Sequence, residues 1–172
     1  MKYDFYRKLY QKNAAFIESR PYFKKALPFV NKGLTAFFFA SYTALVAYAF
    51  FKDFGATDFM KILFPPLVCL FFVSVLQLAI HKPRPYTAEG ANITPLFEKK
   101  RGDYQSFPSR HVASAVVIAG VFLRFFPAFA FVLYPLALVL AYARFAVGFH
   151  YIFDLAAGGV IGACIGLLVF VL

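Results

Sequence analysis

The sequence ILFPPLVCLFFVSVLQLAI, residues 62–80, is a long apolar run that contains no charged side chain. A helix needs about 20 mainly apolar residues to cross the hydrocarbon core of a bilayer, and this run has that length. The rest of the chain is similar, since 62% of its 172 residues are hydrophobic and 21% are aromatic. Ordinary globular domains are only about 45–50% apolar. The sequence therefore predicts an integral membrane protein.

Four further apolar runs are present, one before this run and three after it. They cover residues 34–51, 109–126, 128–143 and 151–172. The short charged stretch KDFGATDFMK, residues 52–61, joins the first two runs of the chain as a hairpin, and Pro127 separates the third from the fourth. We therefore predict an all-α fold, a polytopic membrane helix bundle with about five transmembrane helices, in the cell membrane.

The first 32 residues differ from the rest, because they carry eight Lys or Arg against two acids. Aromatic and aliphatic residues recur there at helical spacing, at Tyr3, Tyr6, Tyr10, Ala14 and Ile17. This pattern predicts a basic amphipathic helix in the membrane interface, residues 1–32, followed by a transmembrane domain, residues 33–172. A helix packed on the neighbouring spans would show the same pattern.

Three polar clusters interrupt the apolar runs: HKPRPY (81–86), PSRH (108–111) and ARFAVGFHYIFD (143–154). Successive spans reverse direction, so all three clusters are expected on one face of the membrane. The loop between the first two, residues 87–107, is long enough to be a lid that faces a substrate. The side chains predicted to converge are Arg84, Ser109, Arg110, His111, Arg144, His150 and Asp154.

The arginines in these clusters indicate an anion-binding site. The guanidinium groups of Arg84, Arg110 and Arg144 are planar donor forks that suit phosphate oxygens. Pro108 stands at the expected start of a helix, where the backbone N–H groups of Ser109 and Arg110 would be free to bind an anion.

The histidines add catalytic chemistry. His150 and Asp154 are four residues apart, so a helix that begins near His150 would place the carboxylate beside the imidazole. A carboxylate bonded to one ring nitrogen fixes the tautomer and leaves the other nitrogen nucleophilic. His111 could then donate a proton to a leaving oxygen.

These motifs resemble the type 2 phosphatidic acid phosphatase superfamily, in its membrane-bound lipid phosphatase branch. The pattern of that family is Lys-x6-Arg-Pro, then Pro-Ser-Gly-His, then Ser-Arg-x5-His-x3-Asp. The matching residues lie between positions 77 and 154 and are Arg84-Pro85, Pro108-Ser109-Arg110-His111, and Arg144 with His150 and Asp154.

The resemblance implies a role for each catalytic residue. His150 would be the nucleophile that forms a phosphohistidine, Asp154 its orienter, and His111 the acid and then the base that activates water. Arg84, Ser109 and Arg144 would hold the phosphoryl group. The family needs no metal, and no cofactor is expected.

The chain departs from the family pattern at three positions. Gln77 stands where the family has lysine, Arg110 replaces the glycine, and Ala143 replaces the serine before Arg144. The lost lysine removes a phosphate-binding charge, which predicts either that Lys82 or Arg110 replaces it or that the enzyme is weak. The predicted phosphate-binding positions are thus Arg84, Ser109, Arg110, Arg144, Lys82 and Gln77.

The predicted function is hydrolysis of the terminal phosphate of a membrane lipid, of the phosphatidate, phosphatidylglycerol phosphate or polyprenyl diphosphate type. One alternative is a non-catalytic or degenerate family member that binds lipids or translocates anions. Another is a metal enzyme or metal transporter that uses His111, His150 and Asp154, although three arginines around a dication would be repulsive. The expected partners are the lipid substrate and the bilayer, with no nucleic acid, and the oligomeric state stays open.

The membrane face of the site has two conflicting indications. Outside the predicted site residues, eleven Lys or Arg lie on the site's side and three on the other side. This bias favours a cytoplasmic site. The resemblance implies a site that faces away from the cytoplasm, and we predict the extracytoplasmic face.

Overall fold

The computed structural model describes residues 4–88, 93–94, 96 and 104–172. Within these ranges the chain is helical and contains no strand, so the predicted all-α fold is confirmed. The helices are α1 Asp4–Glu18, α2 Pro21–Phe51, α3 Ala56–Ile80, α4 Arg110–Phe125, α5 Pro127–Ala146, α6 Ile152–Gly166 and α7 Leu168–Val171. Tyr3 and most of the predicted lid lie outside the described residues.

In the described part of the chain, four segments are long and apolar enough to cross a membrane. They are α2, α3, α5 and the combined stretch of α6 and α7, Ile152–Val171. The remaining predicted span corresponds to α4, whose 16 residues extend about 24 Å at 1.5 Å per residue. This is short of a hydrocarbon core about 30 Å thick. Helix α4 packs on α3, α5 and α6, with smaller contacts to α2 and α7, and forms the centre of the bundle.

Two glycines let α6 approach the beginning of α4. A Cβ atom built on Gly158 would lie 2.6 Å from the carbonyl oxygen of Ser109, and one on Gly162 would lie 2.5 Å from that of Ala113. Real side chains do not tolerate such distances, so glycine is required for this backbone contact. The close packing brings the first turn of α6 directly beside the first turn of α4.

Helix α1 packs across the end of the bundle. Its buried side chains are Tyr6, Tyr10 and Ile17. The Tyr6 ring contacts Phe145 and Tyr151, at centroid distances of 5.9 and 4.8 Å. The helix therefore packs on neighbouring helices, as the alternative interpretation of its sequence pattern predicts. Helix α2 continues past residue 32, so the boundary predicted there falls inside a helix. A separate interfacial role for the first 32 residues stays a prediction.

The polar segments meet at one end of the bundle. That end is formed by the last turns of α3 and α5 and the first turns of α4 and α6. An apolar cluster from α2, α3, α4 and α5, which includes Phe38, Leu45, Leu133 and Leu140, fills the interior of the bundle. The packed helices therefore provide a rigid frame for the polar segments.

Candidate active site

His150 lies in the turn between α5 and α6 and is only 2% exposed. Its Nδ1 is 2.8 Å from the carbonyl oxygen of Ser106. A carbonyl can only accept, so Nδ1 carries the proton and Nε2 keeps its lone pair. Nη1 of Arg84 lies 3.4 Å from Nε2. Burial, and then the nearby cations of Arg84 and Arg144, hold the pKa of His150 well below its usual value. The hydrogen bond to Ser106 and the lowered pKa both favour a neutral imidazole with its proton on Nδ1.

Asp154 does not make the predicted hydrogen bond to His150. Its Oδ2 is 4.0 Å from Nδ1 of His150, beyond hydrogen-bond distance. Oδ2 accepts instead from the hydroxyl of Ser106 at 2.5 Å and from the backbone N–H of Tyr151 at 3.1 Å. The reason is local: α6 begins at Ile152, so His150 precedes the helix, and the carboxylate turns back to cap the helix start.

Lys82 forms an ion pair with Asp154. Its Nζ lies 2.5 Å from Oδ1 of that carboxylate. The ammonium also lies over the rings of Tyr151, Phe107 and Phe153, at 4.6, 5.5 and 5.9 Å from their centroids. Aromatic faces and a carboxylate together stabilise a fixed cation. The prediction that Lys82 supplies the missing phosphate-binding charge therefore has no support in this geometry.

Gln77 has a positioning contact rather than an anion contact. The side chain is buried at the end of α3, and its Nε2 donates to the carbonyl oxygen of Pro108 at 2.8 Å. This bond ties α3 to the segment that leads into α4. Where the family pattern has a cation, this chain has a neutral link between two segments.

Two buried arginines lie around His150. Arg84 donates to the carbonyl oxygens of Phe149 at 2.9 Å and Gln105 at 3.3 Å. Arg144 is 2% exposed, and its Nη2 donates to the hydroxyl of Thr35 at 3.2 Å. The Nε and Nη1 atoms of Arg144 are buried without a hydrogen-bond partner. Leaving such donors unsatisfied costs about 1–3 kcal/mol each, and more for charged groups.

Ser109 is fully buried immediately before α4. Its hydroxyl also lacks a hydrogen-bond partner. The predicted free N–H of Ser109 is not free, however, because it donates to the carbonyl oxygen of Asp154 at 2.9 Å. The close packing of α6 on α4 supplies that acceptor. Ser109 thus has an unpaired buried hydroxyl, whereas its backbone N–H is bonded within the protein.

Arg110 and His111 line a cavity of about 230 Å³ between α2, α3, α4 and α5. Arg110 is exposed and His111 is half-buried. Thr35 of α2 also lines the cavity, and its hydroxyl is the one that Arg144 contacts. The remaining lining side chains are mostly apolar: Phe38, Phe39, Leu70, Ser114, Ala115, Ile118 and Leu140. The cavity thus joins a cationic end to an apolar interior.

Sequence reasoning missed Ser106 and Thr35. Thr35 had a detectable signal, because Asn31 and Thr35 are polar residues four apart, where α2 enters its apolar part, and both fall on one helix face. Ser106 had none, since a single serine in a polar loop is unremarkable. Its importance comes from contacts with Lys82, His150 and Asp154 that only the fold creates.

The fold is that of a helical membrane protein, and the site gathers cationic donors and a neutral histidine of the kind that phosphoryl transfer requires. The family model of the PAP2 superfamily matches residues 58–172. The chain therefore belongs to the PAP2 superfamily, which confirms the resemblance seen in the sequence. Membership supports a phosphatase that acts on lipids.

Solved structures share the fold. Aquifex aeolicus LpxE is 20% identical, with a TM-score of 0.67, over 96% of this chain and 94% of that one. The first transmembrane PAP2 type phosphatidylglycerolphosphate phosphatase from Bacillus subtilis is 19% identical, with a TM-score of 0.68, over 95% of this chain and 85% of that one. No curated protein sequence matches the chain.

Proposed function

We propose that this protein is a metal-independent phosphatase that removes the terminal phosphate of a membrane lipid through a phosphohistidine on His150. One observation supports it above the others. Buried donors of Arg144 and Ser109 have no hydrogen-bond partner, and the neutral His150 lies in the field of the same arginine. A phosphate group would supply the missing acceptors.

In the first step, Arg84, Arg144 and Ser109 hold the terminal phosphate. The Nε2 lone pair of His150 forms the bond to phosphorus while the bond from phosphorus to the lipid oxygen breaks. His111 gives its proton to that leaving oxygen, which departs as an alcohol or, from a diphosphate, as a lipid phosphate. Each phosphate-binding donor that meets the charge developing at phosphorus is worth about 10²–10³ in rate.

In the second step, water attacks the phosphohistidine from the side that the lipid alcohol has left. His111 takes a proton from the water as the new bond from oxygen to phosphorus forms and the bond from phosphorus to nitrogen breaks. Inorganic phosphate leaves, and His150 returns to its neutral form. Side chains of the protein carry both proton transfers and the phosphoryl transfer, so the proposed mechanism uses no metal.

The cavity supports a lipid substrate. Its apolar walls, which include Phe38, Phe39 and Leu70, belong to helices long enough to cross a membrane. A phosphate at the arginines would therefore leave its chain among the spans rather than in water. Phosphatidate, phosphatidylglycerol phosphate and polyprenyl diphosphates all have the required terminal phosphate.

A panel assay tests the proposed activity. The purified protein in detergent, with a chelator present, is given each of these three lipid phosphates, and released inorganic phosphate is measured. We expect hydrolysis of at least one, and none by the His150→Ala variant. Absence of turnover on all three, with the protein folded, would favour the degenerate, lipid-binding alternative.

We further propose that the site faces away from the cytoplasm. The exposed residues Tyr104, at the site end, and Lys52, at the opposite end of α2, can each be replaced by cysteine in a Cys164→Ala background. A membrane-impermeant thiol reagent added to intact cells should label Tyr104→Cys but not Lys52→Cys. The reverse pattern would place the site in the cytoplasm.

A further inference from the structure

We propose that Ser106 is the positioning residue that holds His150 for attack, and that Asp154 and Lys82 act on the histidine through it. This inference rests on the proposed function of His150 as the nucleophile. In this proposal the aspartate does not orient the histidine directly. The carboxylate oxygen of Asp154 is 4.0 Å from Nδ1 of His150, whereas the carbonyl oxygen of Ser106 is 2.8 Å from it.

All hydrogen-bonding groups of Ser106 are engaged, and the residue is fully buried. Its backbone N–H donates to the carbonyl oxygen of Lys82 at 3.1 Å. Its hydroxyl donates to Oδ2 of Asp154 at 2.5 Å. Its own carbonyl accepts from Nδ1 of His150. The serine thus joins the segment after α3, the first turn of α6 and the nucleophile.

Lys82 closes this arrangement into a ring. Its carbonyl receives the Ser106 N–H, while its Nζ contacts Oδ1 of Asp154, the oxygen that the serine hydroxyl leaves free. Both carboxylate oxygens are therefore fixed, and the carboxylate in turn fixes the serine. Hydrogen-bond networks of this kind hold their members in one geometry. Lys82 is by this argument also a positioning residue.

This hydrogen-bond network of Lys82, Ser106 and Asp154 has a chemical consequence for His150. As Nε2 bonds to phosphorus, positive charge develops on the imidazole and its Nδ1–H becomes a stronger donor. The Ser106 carbonyl accepts that stronger bond, and the carboxylate of Asp154 lies 4.0 Å from the same nitrogen, where its charge stabilises the cation. The network thus both fixes the tautomer and favours the phosphorylated state.

The Ser106→Ala variant removes the hydroxyl but keeps the carbonyl. We expect kcat to fall about 10²-fold, the usual result of a small misplacement at a reacting centre, with KM nearly unchanged because the phosphate donors remain. Ser19→Ala is the matched control, since that exposed hydroxyl donates only to the nearby carbonyl of Phe16. It should not change kcat.

Nitrogen NMR of ¹⁵N-histidine protein gives a readout that does not need turnover. The chain has three histidines, and substitution of His81 and His111 assigns the signals of His150. The wild type should show a neutral imidazole protonated at Nδ1. Ser106→Ala should show a mixture of tautomers, because its carbonyl is no longer held in place by the hydroxyl bond to Asp154. If Ser106→Ala does not fold, Lys82→Met, which leaves Ser106 in place, should shift kcat and the tautomer ratio in the same direction.

A double-mutant cycle tests the path from Asp154. If the aspartate acts through Ser106, Asp154→Asn should reduce kcat far less in the Ser106→Ala background than in the wild type. Additive losses of kcat in the double variant would overturn the inference. So would a Ser106→Ala variant with wild-type kcat and an unchanged tautomer. Either result would leave the proposed phosphatase activity intact. A wild type without turnover, in which the tautomer still depends on Ser106, would overturn the proposed function and leave the positioning intact.

Discussion

Asp154 and His150 are one helical turn apart in sequence, yet Oδ2 and Nδ1 stay 4.0 Å apart, and Ser106 bonds to both residues. The spacing would give a direct contact only if both residues were inside the same helix. Because α6 begins after His150, the carboxylate caps the helix and reaches the histidine through a third residue. The proposed catalytic centre therefore depends on a contact between two distant stretches of the chain, at Ser106 and at residues 150–154.

Replacement of His111 by alanine should slow turnover by about 10²–10⁴, the usual loss for a general acid. The loss should be much smaller for a lipid phosphate with a phenolic leaving group of low pKa, because that oxygen departs without a proton. Steady-state kinetics on both substrates would measure this. An equal loss on the two substrates would show that His111 is not the acid.

The pH dependence of kcat/KM should reflect the low pKa of His150. Turnover needs the neutral ring, and burial with two nearby arginines holds its pKa below the usual 6.5. Activity should therefore persist as the pH falls through 6.5 and be lost only at more acidic pH. The profile is best measured in the His111→Asn variant, which removes the proposed acid–base histidine from the site. An acid limb centred at or above pH 6.5 would contradict this picture of the site.

Gly158→Ala should destabilise the fold by about 1–3 kcal/mol, because the added methyl group would meet the Ser109 carbonyl at 2.6 Å and push α6 from α4. Gly33→Ala is the control, since a methyl group there would meet no atom within 4 Å. Thermal unfolding in detergent would compare the two variants. Equal unfolding temperatures would mean that α4 and α6 pack less closely than described.

We propose that Arg110 supplies the charge of the family lysine, because Gln77 at the lysine position is neutral and Lys82 is paired with Asp154. Arg110→Ala should lower kcat/KM by about 10- to 100-fold, as expected for the loss of one charged contact to phosphate. Arg124→Ala removes an arginine at the other end of α4 and should have no effect. Equal activity of the two variants would make Arg110 a simple interfacial anchor.

The helices and their common polar end were predictable from the sequence, because apolar length and the reversal of successive spans have direct physical signatures. Helix α4 was expected as a full span because residues 109–126 are mainly apolar. Its central position could not be predicted, because it depends on how the neighbouring helices pack. The site contacts were less predictable. The N–H of Ser109, the ammonium of Lys82 and the carboxylate of Asp154 each found a partner that only tertiary packing supplies.

The most direct test of the central proposal is to trap the covalent intermediate. The purified protein is mixed with a ³²P-labelled lipid phosphate that it hydrolyses, quenched in alkali within milliseconds, and digested for mass spectrometry. We expect an acid-labile, alkali-stable phosphate on the peptide that contains His150, and no label in the His150→Ala variant. Label on another residue, or full turnover by His150→Ala, would contradict the phosphohistidine mechanism.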